Sequence, residues 1–384
     1  MTHRILFMTH AAVLGGAELS LIDLANNYRH TSEVLLFDHG PLVQILQEKA
    51  IPVTILPASS SVLNVKTSSR LATLKSIPNL FKLARQVSHK AQSGFDVIHI
   101  NSQKALVIAA LAAQMSQLPP IVWHLRDILT AGHYSAINRK IAILLANHCA
   151  TKVIANSQAT AKAFIEAGGN PALVKVVYNG ISEKPFEGIS AQARQQLRQT
   201  FNIGDAPLVG VFSRLSFWKG QHVVLKALAQ LPDFHAVIVG DALFGEDEYV
   251  DYLQSLVKEL DLSDRVHWLG FRRDIPNLMK ACDYIVHPST EPEPFGRVLV
   301  EGLLAQRPVI AAAAGGALEI VTDGETGQLF LPNDANALAQ TILSLHANPE
   351  RVKAVKQQGY QHARKQFSLE TCLHNFAGQI DAIA

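Results

Sequence analysis

The chain has 384 residues, 48% of them apolar and 17% charged, with a formal net charge of +2. That is too long for one ordinary domain and sufficient for two, and the apolar share excludes a disordered chain. Cys149, Cys282 and Cys372 are far apart and form no C-x-x-C pair, which argues against a disulfide framework or a cysteine-based zinc cluster and fits a reducing compartment. Strand-like runs then alternate with helical patterns. They fall at Arg4–Met8, Glu33–Phe37, Val53–Leu56, Val97–Ile100, Ile121–Leu125, Lys152–Ala155 and Lys175–Val177. A polar connector from Tyr178 to Gly204 follows. The alternation resumes at Leu208–Phe212, Ala236–Val239, Val266–Leu269, Tyr284–His287, Val309–Ala312 and Gly327–Phe330. This order predicts βαβ units and two α/β, doubly wound parallel sheets, over 1–180 and 190–366. A terminal helix over 367–384 could pack back on the first domain or stay on the second. No apolar run reaches the ~18 residues of a membrane span. The start, Met1-Thr2-His3-Arg4, enters a strand with no signal-peptide pattern. The reading is a cytoplasmic protein.

Charge is divided unevenly. Residues 1–180 hold 16 Lys/Arg against 8 Asp/Glu, and residues 181–384 hold 18 against 24. Such asymmetry predicts two domains with different partners.

Parallel sheets bind ligands beyond the carboxyl ends of their strands. The stretch EPEPFGRVLVEGL, residues 291–303, lies there, after the strand ending at His287. A helix beginning near Phe295 would place Glu301 ~12 Å along its axis from Glu293, at ~1.5 Å per residue. That is too far for the ~5–9.5 Å carboxylate pair of glycoside hydrolysis. The spacing suits an elongated ligand, with an anion at the helix start between two hydroxyl-binding carboxylates. The competing reading is an acid that favours the helix dipole plus a solvated glutamate.

The segment E-P-F-G-x-x-x-x-E, continuing GLLAQRPVIAAAAGGALEIV, resembles the E-x7-E region of retaining GT-B glycosyltransferases of family four. VGVFSRLSFWKGQHVVLKAL is similar to the segment whose Arg and Lys hold a donor diphosphate. AVIVGDA, VHWLGFRRDIPNLMKACDYIVHPS, THAAVLGGAELSLIDLA and VVYNGI extend the resemblance over nearly the whole chain. It implies a GT-B fold, two Rossmann-like domains facing an interdomain cleft, and transfer of a hexose from a nucleotide sugar with retention. It implies that His124, Arg214, Lys219 and Glu293 are catalytic. It places donor binding on Gly15, Gly16, Arg214, Lys219, Gly240, Phe271, Arg272, Glu293, Pro294, Phe295, Gly296, Arg297, Val298 and Glu301. Ser213-Arg214 departs from the usual Gly-Arg.

The residues bear on each of these roles. A diphosphate entering an acidic domain needs local cations, and Arg214 and Lys219 follow a strand. Arg297 is a third cation or a solvated one. Gly15-Gly16 lets the backbone approach a ligand closely but is not a G-x-G-x-x-G dinucleotide motif. His124 ends a strand, where lone histidines are more often structural, and Arg126 and Asp127 beside it could orient it or bind acceptor. No D-x-D occurs, so neither metal nor other cofactor is expected.

From Lys49 to Phe95 there is no acid but there are seven cations: Lys49, Lys66, Arg70, Lys75, Lys82, Arg85 and Lys90. The amphipathic part, 66–90, which Pro78 is expected to break, reads equally as a contact for an anionic membrane surface or as a solvated helix face. Nucleic acid is not expected, because no reader motif is present. The resemblance implies a saccharide or lipid-linked acceptor, polysaccharide or glycolipid synthesis at the inner face of a membrane, and UDP-glucose as the commonest donor. A nucleotide-sugar epimerase of the same fold and a non-catalytic sugar-nucleotide-binding protein are the alternatives.

Overall fold

The computed structural model describes residues 3–59, 70–130, 135–188, 191–201, 203–243 and 245–384. It divides into two compact units. The first comprises residues 1–180 with 372–384, and the second residues 181–371.

The first unit holds β1 (Ile5–Thr9), β2 (Ser32–Leu36), β3 (Val53–Ile55), β4 (Val97–Ile100), β5 (Ile121–Leu125), β6 (Lys152–Ala155) and β7 (Val174–Val176). They form one sheet in the order β3-β2-β1-β4-β5-β6-β7, parallel throughout. The second holds β8 (Leu208–Phe212), β9 (His235–Val239), β10 (Val266–Gly270), β11 (Tyr284–His287), β12 (Val309–Ala312) and β13 (Gln328–Phe330). Their order is β10-β9-β8-β11-β12-β13, again parallel.

The central strands read as unbroken apolar runs because helices cover both faces. Every residue of β1, β4, β5, β8, β11 and β12 is buried. In each sheet the strand order reverses at one place, between β1 and β4 and between β8 and β11. Loops leaving the carboxyl ends there diverge and open a crevice. These two switch points position the residues described below.

The terminal helix Leu369–Asp381 belongs largely to the first unit. Cys372, Phe376 and Ile380 recur every four residues, so they share one helix face. All three are buried in the core around β1 and β2. Pro78 does not break its helix, which runs from Arg70 to Ala91. A proline removes one backbone donor and crowds one carbonyl. Here Leu83, Ala84, Val87 and Ala91 bury beyond it, in the core shared with the helix Gln103–Met115, and packing carries the helix through.

Lys66 lies outside the described residues, as do the side-chain surroundings of Arg70 and Lys75. Within the described part, Lys82 and Arg85 are exposed, and Phe81 beside them is 49% exposed. Lys90 pairs with Glu33 at 2.7 Å. Leu83 and Val87 therefore face the core and not solvent. None of the helices among the described residues is long and apolar enough to cross a membrane.

Candidate active site

In the second unit the two loops of the switch point meet. After β8 the chain runs through Ser213 and Arg214 to a 3-10 turn, Phe217–Lys219. Gly220 follows with φ of +73°, and a side chain there would meet the Pro288 carbonyl at 2.0 Å. Only glycine allows this close crossing of the loops after β8 and β11. The Thr290 amide completes it by donating to the Trp218 carbonyl at 2.8 Å.

The crossing delivers Lys219 to Glu293. The Lys219 Nζ lies 2.6 Å from the Glu293 Oε2, with both side chains nearly enclosed. The same oxygen meets His287 Nε2 at 2.9 Å and accepts from Ser289 Oγ at 3.1 Å. The Glu293 backbone is held too, since its carbonyl accepts from the Gly316 amide at 2.7 Å. Gly315 has φ of +61°, and a side chain there would strike the Glu293 carbonyl at 2.4 Å.

Burial by itself would raise the Glu293 pKa. The Lys219 charge and the contact with His287 outweigh it and hold the carboxyl well below the usual range. Lys219 is itself lowered, by burial first and by the Arg214 charge, while Glu293 opposes both. The indole of Trp218 sits between the cations. The Lys219 Nζ is 3.9 Å from its ring centroid and the Arg214 Cζ is 5.7 Å away. Both distances fall within cation–π range. The Gln221 side chain braces this loop from Ser213 Oγ and the Arg214 carbonyl.

The helix after Glu293 spans Arg297–Leu304, with Gly296 as its N-cap in the left-handed region. It starts two residues later than the sequence pattern suggested. The Leu299 amide donates to the Gly296 carbonyl at 2.9 Å, so it is not one of the amides that a helix start leaves open to an anion. Arg297 and Glu301 lie one turn apart, 3.7 Å between Nε and Oε1, both mostly enclosed. Phe295 buries its ring edge-to-face against Phe367. Pro294 and Val298 are half-buried.

Gly240 follows β9 with φ of +131°, and its amide donates to the Gly270 carbonyl at 2.8 Å. Phe271 is exposed, and Arg272 is engaged in a two-point contact with Asp274 at 2.8 and 2.7 Å.

In the first unit Gly15 is the N-cap and Gly16 the first residue of the helix Gly16–Asn27. Glu18 in its first turn is buried, and its pKa is raised by burial. His124 lies on β5, buried, with its Nδ1 3.0 Å from His99 Nε2 and 3.4 Å from Arg126 Nη2. Arg126 also donates from Nε to Asn101 Oδ1 at 2.6 Å and from Nη1 to Asn179 Oδ1 at 2.7 Å. Burial pushes both histidines well below their ordinary pKa, and the Arg126 charge adds to it.

Three residues expected to be catalytic, Arg214, Lys219 and Glu293, thus share one unit and one loop crossing, and His124 lies in the other unit. Sequence reasoning missed His287, Ser289 and Trp218. His287 carried a usable signal, since it ends a strand as His124 does. Trp218 sits between the two selected cations in the chain. Among the described residues no group of three His, Cys, Asp or Glu could hold a metal ion.

Two doubly wound parallel-sheet units in one chain, one of them with two partly buried cations at its switch point, make the GT-B class of architecture. Residues 14–184 match the family described as Glycosyltransferase Family 4, and residues 193–362 match Glycosyl transferases group 1. Anabaena HepE, solved with UDP and glucose and with UDP-glucose, is 40% identical over 99% of this chain and 100% of its own, with a TM-score of 0.90. An uncharacterized glycosyltransferase of Methanocaldococcus jannaschii is 26% identical over 64% of this chain and 64% of its own length. A D-inositol 3-phosphate glycosyltransferase of a Mycobacterium species is 32% identical over 51% of this chain, which spans only 45% of that relative. The chain belongs to the GT-B glycosyltransferases of family 4.

Proposed function

We propose that this glycosyltransferase moves a hexose from UDP-glucose, with retention at the anomeric carbon, to a saccharide or lipid-linked acceptor in polysaccharide or glycolipid synthesis. The observation that carries the reading is the full-length likeness to HepE, whose solved complexes hold UDP-glucose or UDP with glucose.

The chemistry of the second unit supports it. The bond between the sugar and the diphosphate breaks as negative charge gathers on the leaving phosphate. Arg214, Lys219 and the amides at the start of the helix Arg297–Leu304 supply fixed positive charge for that anion. Glu293 takes the sugar hydroxyls and Glu301 the ribose. Gly240, Phe271 and Arg272 line the base side, and Pro294 to Val298 the phosphate side. In the first unit Gly15-Gly16 lets backbone approach the donor, and His124 contacts the sugar.

Glu293 Oε2 already meets Lys219, His287 and Ser289, so the sugar hydroxyls meet a carboxylate that is held in place. No added metal is needed for this scheme. The exposed Lys82 and Arg85 attach the enzyme peripherally to the inner face of an anionic membrane.

The test is a panel of nucleotide sugars, read by acceptor-dependent release of nucleoside diphosphate and by the anomeric configuration of the product, with and without EDTA. UDP-glucose turnover that survives EDTA and keeps the anomeric configuration supports the proposal. Inversion, a different preferred donor, or epimerised donor without transfer overturns it.

A further inference from the structure

The first unit contains a buried polar cluster around His124, and its other members, His99 and Arg126, have no part in the scheme above. Arg126 is the key to its proton inventory. A guanidinium carries only donors, so its contact with His124 Nδ1 is a hydrogen bond only if that nitrogen is bare. His99 Nε2 sits 3.0 Å from the same atom. Two lone pairs at that distance repel, so His99 must carry its proton on Nε2 and donate it. The single proton of His124 is then on its own Nε2. That nitrogen is buried and has no hydrogen-bond partner among the described residues, and neither has His99 Nδ1. An unsatisfied buried donor costs about 1–3 kcal/mol, so a group left in this state is a place to look for a ligand atom.

We propose that Arg126 is a positioning residue: with His99 it holds His124 as the tautomer protonated at Nε2, so the imidazole meets a sugar hydroxyl as a hydrogen-bond donor and not as a base. This rests on the reading that His124 contacts the donor sugar.

Three further observations support the assignment. Turning the ring over about its Cβ–Cγ bond would put carbon where Arg126 and His99 now find nitrogen. His99 and Phe376 flank the His124 ring, the first edge-on at 5.2 Å and the second nearly parallel at 14° and 6.5 Å between centroids. Arg126 itself is anchored at two other points, by Asn101 and Asn179, so its Nη2 has a fixed place. Among the described residues Arg126 is the charge that acts on both rings, Glu18 feels the charges of Arg126 and Asp127, and burial with the Arg126 charge keeps both rings uncharged in the neutral range.

The experiment is two-bond proton–nitrogen correlation on protein labelled with ¹⁵N-histidine, with His124→Gln used to assign the signals. The expected spectrum shows His124 protonated at Nε2 only and unchanged across neutral pH. A proton on Nδ1, or a doubly protonated ring at neutral pH, overturns the proposal in the wild-type protein itself, once His124→Gln has identified the signals. In Arg126→Met the signal should become a mixture of tautomers, with kcat reduced ~10- to 100-fold and donor KM little changed, the scale expected of misplacement in an active site. Arg126→Lys, which keeps one donor, should recover part of both. Unaltered kcat in a folded Arg126→Met enzyme whose tautomer has changed refutes the positioning role and leaves the transferase reading intact. A wild type that turns over no nucleotide sugar refutes that reading while the spectrum still decides the tautomer.

Discussion

Removing either member of the Lys219–Glu293 pair is expected to destabilise the second unit severely. The two side chains are 12% and 10% exposed, and their charges meet at 2.6 Å. Opposite charges ~4 Å apart attract by about 4 kcal/mol at an effective dielectric of ~20. Stranding one of them in the interior costs about 3–5 kcal/mol. Lys219→Met leaves Glu293 in contact with His287 and Ser289 but without the ammonium that opposes its burial. Glu293→Gln leaves Lys219 over the Trp218 ring, and a lysine can shed its proton, so the smaller loss is expected there. The double variant strands no charge and should recover much of the difference, with a coupling of about 1–3 kcal/mol. The assay is urea unfolding followed by tryptophan fluorescence in a Trp123→Phe background, where Trp218 and Trp268 report on this unit. Losses below about 1 kcal/mol in both single variants, the value of an exposed pair, would refute the reasoning. The pH dependence gives a second check. A depressed carboxyl pKa stabilises above the unfolded value of 4.5, and that contribution fades as pH falls below it. Glu293→Gln should therefore unfold less steeply with acid than the wild type.

Glu301→Ala should weaken binding of free UDP, because ribose is present with or without the sugar, by about 1–1.5 kcal/mol for a lost hydrogen bond in calorimetry. Equal UDP affinity in variant and wild type would remove Glu301 from the site. His222, whose Nδ1 is 2.9 Å from the Tyr249 hydroxyl, is lowered by burial from 6.5 to about 4. Its unfolded form takes up a proton first as pH falls, so its share of stability is present at neutral pH and is lost from about 6.5 towards about 4. His222→Gln should flatten the unfolding midpoint over that window, and an unchanged slope would count against it. Replacing Lys82 and Arg85 with glutamine should reduce sedimentation with anionic liposomes by about 1 kcal/mol per cation, as should added salt. Identical binding by wild type and variant leaves the helix face merely solvated.

The thirteen strands among the described residues could be read from the chain before folding: the nine internal ones because a parallel strand covered on both faces writes itself as a short apolar run, and the edge strands β3, β7, β10 and β13 because they continue the same alternation with helical patterns. The Glu293 and Glu301 spacing was legible for a similar reason, since loop and helix are contiguous in sequence. Contacts between distant segments were not. That Lys219 reaches Glu293 depends on Gly220 passing the Pro288 carbonyl, a crossing of two loops about seventy positions apart that no local periodicity encodes. Pro78 shows the same limit in reverse: local propensity argued for a break, and the burial of Leu83 and Val87 decided otherwise. Local pattern determines which elements form and which residues stand at their ends. Only the tertiary structure decides which buried charges and lone pairs must share one site, because a sequence records neighbours along the chain and not the low-dielectric space in which Arg126, His99 and His124 settle their protons.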